Sequence, residues 1–255
     1  MTNSVLSVLV RMPAERLPTV IARLTAEGDR LGRAVAYGRS YQFDHQPQTL
    51  LNALADLEGS VGSTADRSAA ARFLALRVIE ATLVGQRVGA SRVIRMLADA
   101  DDDPDDPGAL TNLRAMAYAA GALGDEPGTD PESALARLDA LSPPQDASYA
   151  ALWPSLRIAL SVRIAAERED MSSVPDIPEQ VAAMKADPRF GPAQQPAIEL
   201  MEIMSDLMTA VQRQDMPAAT AAATRMQAAL DRLPVGDPTM DAFRAQLSAA
   251  MAPFR

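Results

Sequence analysis

The chain has 255 residues, enough for one large domain or two small ones, and 48% of them are apolar, so a sizeable core is available and disorder is not the default. Its 24 basic and 33 acidic residues give a net charge of −9, which repels phosphate backbones and anionic lipid surfaces and favours basic or mixed-charge partners. No cysteine is present, which removes disulfides, thiolate nucleophiles and Cys-based metal sites.

Only 4% of residues are aromatic, while Ala, Leu, Arg and Met dominate, all residues that lose little side-chain freedom in a helix. Strand-like alternation is nearly missing and a 3.6-residue period recurs, so the expected fold is all-α. Lys185 is the sole lysine, a bias towards arginine that leads to the expectation of a GC-rich genome, such as an actinobacterial one. The opening "MTNSVLSVLVRMP" holds an apolar stretch of about seven residues, too short to span a membrane, and it lacks the basic start of a secretory signal. A cytoplasmic protein with neither nucleic acid nor membrane as partner is expected.

In chain order, "AERLPTVIARLTAEG" and "DRLGRAVAYGRSYQF" predict one or two helices that form an N-terminal cap over residues 1–46. The end of this cap, "YGRSYQFDHQ" (37–46), is the one aromatic-dense stretch and carries the sole histidine. Tyr37 and Tyr41 stand one helical turn apart, with Arg39 between them and His45 beyond, so these four are candidate partner-binding residues able to stack on a small ligand or peptide. A structural role at a helix boundary is the alternative for His45.

From residue 47 onward short and long helices alternate. "PQTLLNALADL" (47–57) is short, and long segments are predicted at 65–85, 108–124, 148–168, 196–214 and 238–254, their starts 43, 40, 48 and 42 residues apart. Between them lie short helices at 90–100, 131–141, 178–187 and 217–233. Trp153 is read as a buried anchor, and the stripe Met201, Met204 and Met208 as core rather than an adaptable binding surface. The glycines of "GSVGS" (59–63) lack the lysine and preceding strand of a phosphate-binding loop.

The joint "DADDDPDDPGA" (99–109) is the part most suggestive of chemistry. Asp102, Asp103 and Asp106 satisfy the DDxxD pattern by which all-helical isoprenoid synthases hold magnesium. However, Pro104 and Pro107 interrupt the helix that should display them, and no second metal-binding stretch follows. Starting a calcium loop at Asp103 puts Gly108 at its sixth position but Arg114 where a bidentate glutamate is required. A weak Mg²⁺ or Ca²⁺ site at the three aspartates is therefore the minor reading; otherwise no cofactor is expected. The main reading is punctuation. Asp-Pro pairs recur at 103, 106, 130, 187 and 237, and an aspartate there accepts from free first-turn N–H groups while proline fits the first helical position.

A helix pair cannot bury its apolar faces alone, but stacked pairs can, which is the logic of an α-solenoid of antiparallel hairpins with a period of about 40–48 residues over 47–255, or one continuous domain over 1–255. In the last unit, "LMTAVQRQDMPAATAAATRMQAALDRLPVGDPTMDAF", Pro234 aligns with the terminal proline of a tetratricopeptide unit and Ala210, Ala222 and Ala229 with its small-residue positions. Asp206 and Arg213 stand where that motif has tryptophan and tyrosine. On these residues the region resembles the divergent tetratricopeptide-like repeats of actinobacterial proteins, some of which precede a caspase-like CHAT peptidase domain. The resemblance implies a scaffold or sensor that binds a peptide or protein segment in a repeat groove, self-association being a further option, rather than an enzyme. The alternatives are the magnesium-dependent isoprenoid-type enzyme and a helical bundle around an apolar ligand. The last long helix lacks a short partner, as a capping helix would, or as in a longer protein continuing past Arg255.

Overall fold

A computed structural model describes residues 3–83, 85–102, 108–142, 152–170, 177–186 and 195–231. Among these the chain is all-helical: α1 (Asn3–Leu9), a 3₁₀ turn (Ala14–Arg16), α2 (Leu17–Glu27), α3 (Arg30–Asp44), α4 (Pro47–Glu58), α5 (Thr64–Leu83) and α6 (Ala90–Ala98) form the first half. The second half holds α7 (Ala109–Leu123), α8 (Pro131–Asp139), α9 (Leu152–Glu167), α10 (Ile177–Ala186), α11 (Gln195–Gln212) and α12 (Met216–Asp231). The helix expected over 238–254 lies outside the described residues, as does Pro234. No described helix is long and apolar enough to cross a membrane.

Local chemistry explains where these helices start. The Asp29 carboxylate accepts from the Gly32 N–H at 2.9 Å and opens α3. Asp130 accepts from the Ser133 N–H at 2.7 Å with Pro131 in the first turn, the expected Asp-Pro device at the start of α8. That hydrogen bond holds the Asp130 carboxyl below the usual carboxylate range. Asp215 accepts from the Ala218 N–H at 3.0 Å and starts α12 in the same way. Gly28 closes α2 in the left-handed region (φ 71°), returning its N–H to the carbonyls of Leu24 and Thr25.

The helices pack in a regular order. The longer helices α3, α5, α7 and α9 lie side by side, each against the next. The short α4 packs on both α3 and α5, α6 on α5 and α7, and α8 on α7 and α9. Further along, α11 packs on α10 and α12. The expected boundary at residues 46/47 thus falls in the link between α3 and α4, two helices in extensive contact. One large core runs from Leu9 through Leu54, Leu74, Leu113 and Met116 to Leu160, and it takes in Trp153, which is 3% exposed. The methionine stripe divides between two smaller clusters. Met204 packs with Ile203, Met226 and Leu230, whereas Met201 and Met208 pack with Val181, Met184 and Ile198 and with Ile158 and Val162 of α9. Ala210, Ala222 and Ala229 are all buried.

A recurring arginine device joins successive helices. Each helix leaves its last carbonyls without intrahelical donors. From α7, Arg114 donates Nε to the Leu97 carbonyl at 2.8 Å and Nη2 to those of Ala98 and Ala100, closing the end of α6. From α9, Arg163 donates Nη1 to the carbonyls of Ala122 and Leu123 at 3.0 Å each, at the end of α7. Arg30 of α3 reaches the Ala55 carbonyl in the last turn of α4 at 2.9 Å. A planar fork of donors can reach two or three carbonyls at once, which a lysine ammonium on its flexible stem does less well.

Candidate functional site

An open cleft of about 300 Å³ lies where α4, α5 and α6 meet. Leu57 and Glu58 come from the end of α4, Thr64, Arg67, Ser68 and Ala71 from the first turns of α5, and Arg92, Arg95, Met96, Asp99 and Ala100 from α6 and its end. The order of packing creates this convergence, because α4 touches both α5 and α6. Leu57 and Ala71 are buried and form an apolar floor with Met96.

The walls are charged. Arg92 grips Glu58 with both nitrogens, Nε to Oε1 at 2.9 Å and Nη2 to Oε2 at 2.5 Å. That hydrogen-bonded pair, with Arg95 adding its charge, holds the Glu58 carboxyl below the usual carboxylate range. Ser68 is buried, and its Oγ accepts from the Asp101 N–H at 2.9 Å, which fixes the start of the acidic joint against α5. Arg72 strengthens that seam by donating Nη1 to the Asp101 carbonyl at 2.7 Å. Among the described residues, Arg67 and Arg95 form no close ion pair, although the charge of Arg95 acts on Glu58.

The expected chemical candidates take other places. Asp102 is exposed in the joint, and its carboxylate accepts from the N–H groups of Gly108 at 3.0 Å and Leu110 at 3.2 Å, capping the start of α7. Asp103 and Asp106 lie outside the described residues. Among the described residues no group of three or more acids, histidines or cysteines is poised around a common point to hold a metal.

The aromatic stretch is folded inward only in part: Tyr41 is buried while Phe43 stays 45% exposed. Tyr41 is 2% exposed and donates its hydroxyl to Gln86 Oε1 at 2.9 Å, and Gln86 in turn donates Nε2 to the His45 carbonyl at 3.0 Å. The rings of Tyr41 and His45 meet edge to face at 5.7 Å, and His45 ends α3 in the left-handed region (φ 46°). Arg39 donates Nε to the Met12 carbonyl at 3.0 Å and stacks over Phe43 at 4.5 Å, and Tyr37 packs half-buried on the main core. Tyr41 and His45 are therefore brought together as a tether between α3 and the segment after α5, with Arg39 tying α3 to the segment after α1.

No family model, no curated protein and no solved structure matches this chain. A second, more apolar depression of about 270 Å³ is formed by Leu6, Ser7, Val10, Val35, Ala69, Ala70 and Phe73, between α1, α3 and α5. Farther along α5, Arg77 pairs with Glu80 at 3.0 Å, and the Glu80 side chain keeps 37% of its surface exposed. Burial nonetheless dominates its titration and raises the carboxyl pKa, with Arg77 only partly opposing it.

The raised carboxyl implies a pH effect of definite sign. Because Glu80 binds its proton more tightly folded than unfolded, its contribution to stability is fully present below the unfolded pKa and is lost as pH rises through the folded value. Glu80→Gln should therefore gain on the wild type between pH 4 and pH 7.5. Urea midpoints at several pH values check this; a constant difference would contradict it.

Proposed function

We propose that this chain is a helical-repeat binding module, similar to the divergent tetratricopeptide-like arrays, that holds a peptide or protein segment. The reading rests chiefly on one observation: each short helix α4, α6 and α8 lies between two consecutive long helices, and the long helices lie side by side. Stacked hairpins of this kind leave concave surfaces between units because each unit is rotated slightly from its neighbour. On this reading the cleft at the α4–α5–α6 junction is the docking point, with an apolar floor for side chains and guanidinium walls for polar groups. Its volume lies at the small end of ligand sites, which suits one anchoring residue of a longer segment.

Selection of a random peptide library on the immobilised full chain tests this. Enrichment of a consensus whose binding is lost in Thr64→Trp, which crowds the mouth of the cleft from an exposed position, is expected. The absence of any enriched consensus, or full binding by that variant, contradicts it. The depression between α1, α3 and α5 favours a second reading, an apolar ligand held among helices. In that case binding would be lost in Ala69→Trp and kept in Thr64→Trp.

A further inference from the structure

We infer that the α4–α5–α6 cleft recognises a carboxylate carried on an apolar stem, with Arg67 and Arg95 as its direct partners; this rests on the reading of the chain as a segment-binding module. The distribution of arginines is the first argument. Arg30 and Arg33 share Asp56, Arg92 is held by Glu58, Arg163 by Asp125 and Glu167, Arg157 by Asp139 and Arg225 by Asp206. In a chain of net charge −9, where carboxylates outnumber cations, about half of the described guanidiniums form an ion pair. Arg67 and Arg95 form no close ion pair among the described residues, Arg95 acting on Glu58 only from farther off, and both line the same cavity.

Local charge gives the second argument. Three arginines and two acids, Glu58 and Asp99, line the cleft, leaving one excess positive charge. One carboxylate balances it. At physiological salt charges beyond about 8 Å are largely screened, so nearby groups count most; Asp101, held against Ser68 at the rim, offsets part of that excess, and the attraction rests on the two guanidiniums that line the cleft without a close ion pair.

Preorganisation gives the third. Glu58 holds Arg92 by two hydrogen bonds, so that wall is fixed and its charge largely satisfied. Ser68 Oγ already accepts from Asp101, which leaves its own proton to donate. A carboxylate accepts well from such hydroxyl and guanidinium donors, the latter often in a two-bond fork. Leu57, Ala71 and Met96 beneath them suit an aliphatic stem rather than a bare inorganic anion. Both a peptide's acidic end and a free carboxylic acid offer this chemistry.

Fluorescence anisotropy with the full chain separates the possibilities. The probes are a fluorescein-labelled pentapeptide ending in leucine with a free carboxylate, the same peptide amidated, and hexanoate as competitor. Tighter binding of the free acid than the amide is expected, by roughly ten- to a hundredfold, the scale of a charge-assisted hydrogen bond. The double variant Arg67→Glu/Arg95→Glu should lose this preference, while Arg213→Glu on the segment after α11 should keep it. Circular dichroism and urea midpoints confirm that each variant is folded. Equal binding of acid and amide, or a preference that survives the double variant, overturns the carboxylate assignment even if library peptides still bind in the cleft. If hexanoate binds the wild type but not the double variant and no peptide binds, the carboxylate site stands and the segment-binding reading falls.

Discussion

Gly38→Ala is expected to destabilise the protein by about 1–3 kcal/mol, although alanine favours a helix over glycine by about 1 kcal/mol. Gly38 lies within α3 where that helix crosses α5. A Cβ placed there would stand 2.3 Å from Leu74 Cδ2 and 2.8 Å from Phe73 Cε1. Leu74 is fully buried in the main core, so it has little room to retreat. Leu74→Ala alone opens a cavity and should cost about 2–5 kcal/mol. Combining the two lets the new methyl occupy part of that cavity, so the double variant should lose less than the sum by about 1 kcal/mol or more. Urea unfolding of the four proteins measures this. Strict additivity would mean that α3 and α5 do not meet at this point.

Arg33→Ala should cost about 2–4 kcal/mol, the largest effect expected for a polar side chain here. Asp56 is 7% exposed and takes two short bonds from Arg33, Nε to Oδ2 at 2.5 Å and Nη2 to Oδ1 at 2.6 Å. The bond to Asp56 in turn raises the Arg33 pKa. Without Arg33 the buried carboxylate keeps only Arg30, whose Nε lies 3.5 Å away, so most of its desolvation is uncompensated. Replacing both partners with apolar residues removes the charge as well as the bond. Arg33→Met/Asp56→Leu should therefore recover most of the loss in the same unfolding experiment. A double variant as unstable as Arg33→Ala would show that the pair contributes through shape rather than charge.

Helix limits were readable because their signals are local. Asp130-Pro131 and Pro47 stand at helix starts as their chemistry requires, and the predicted segments 65–85, 90–100, 108–124 and 131–141 match α5 to α8 to within two residues at each end. Burial of Trp153 followed from its size alone. What joins the helices was not readable, because it depends on pairs distant in sequence. Arg33 and Asp56 are 23 residues apart, and Arg114 meets carbonyls that no side-chain pattern reveals. The arginine bias read as codon usage thus has a physical use: forked donors close the ends of neighbouring helices.

The cleft was missed for the same reason. Its residues come from three helices, and the one local hint is Arg92 and Arg95 on the polar side of the short, strongly amphipathic α6. Conversely, Tyr41 and Asp102, two of the candidate site residues, make structural contacts, while Asp103 and Asp106 lie outside the described residues. Tyr41 turned inward because an aromatic ring on a helix face next to the core removes more apolar surface than it exposes, and Gln86 satisfies its hydroxyl. Asp102 became a helix cap because the N–H groups of Gly108 and Leu110 stood within reach.

The most direct test of the segment-binding account is amide hydrogen exchange of the full chain with and without a library-selected peptide. Slowed exchange over residues 57–71 and 92–100, with residues 6–10 and 35–41 unchanged, is the expected result. Protection confined to residues 6–10 and 35–41, or no protection at saturating peptide, would contradict it.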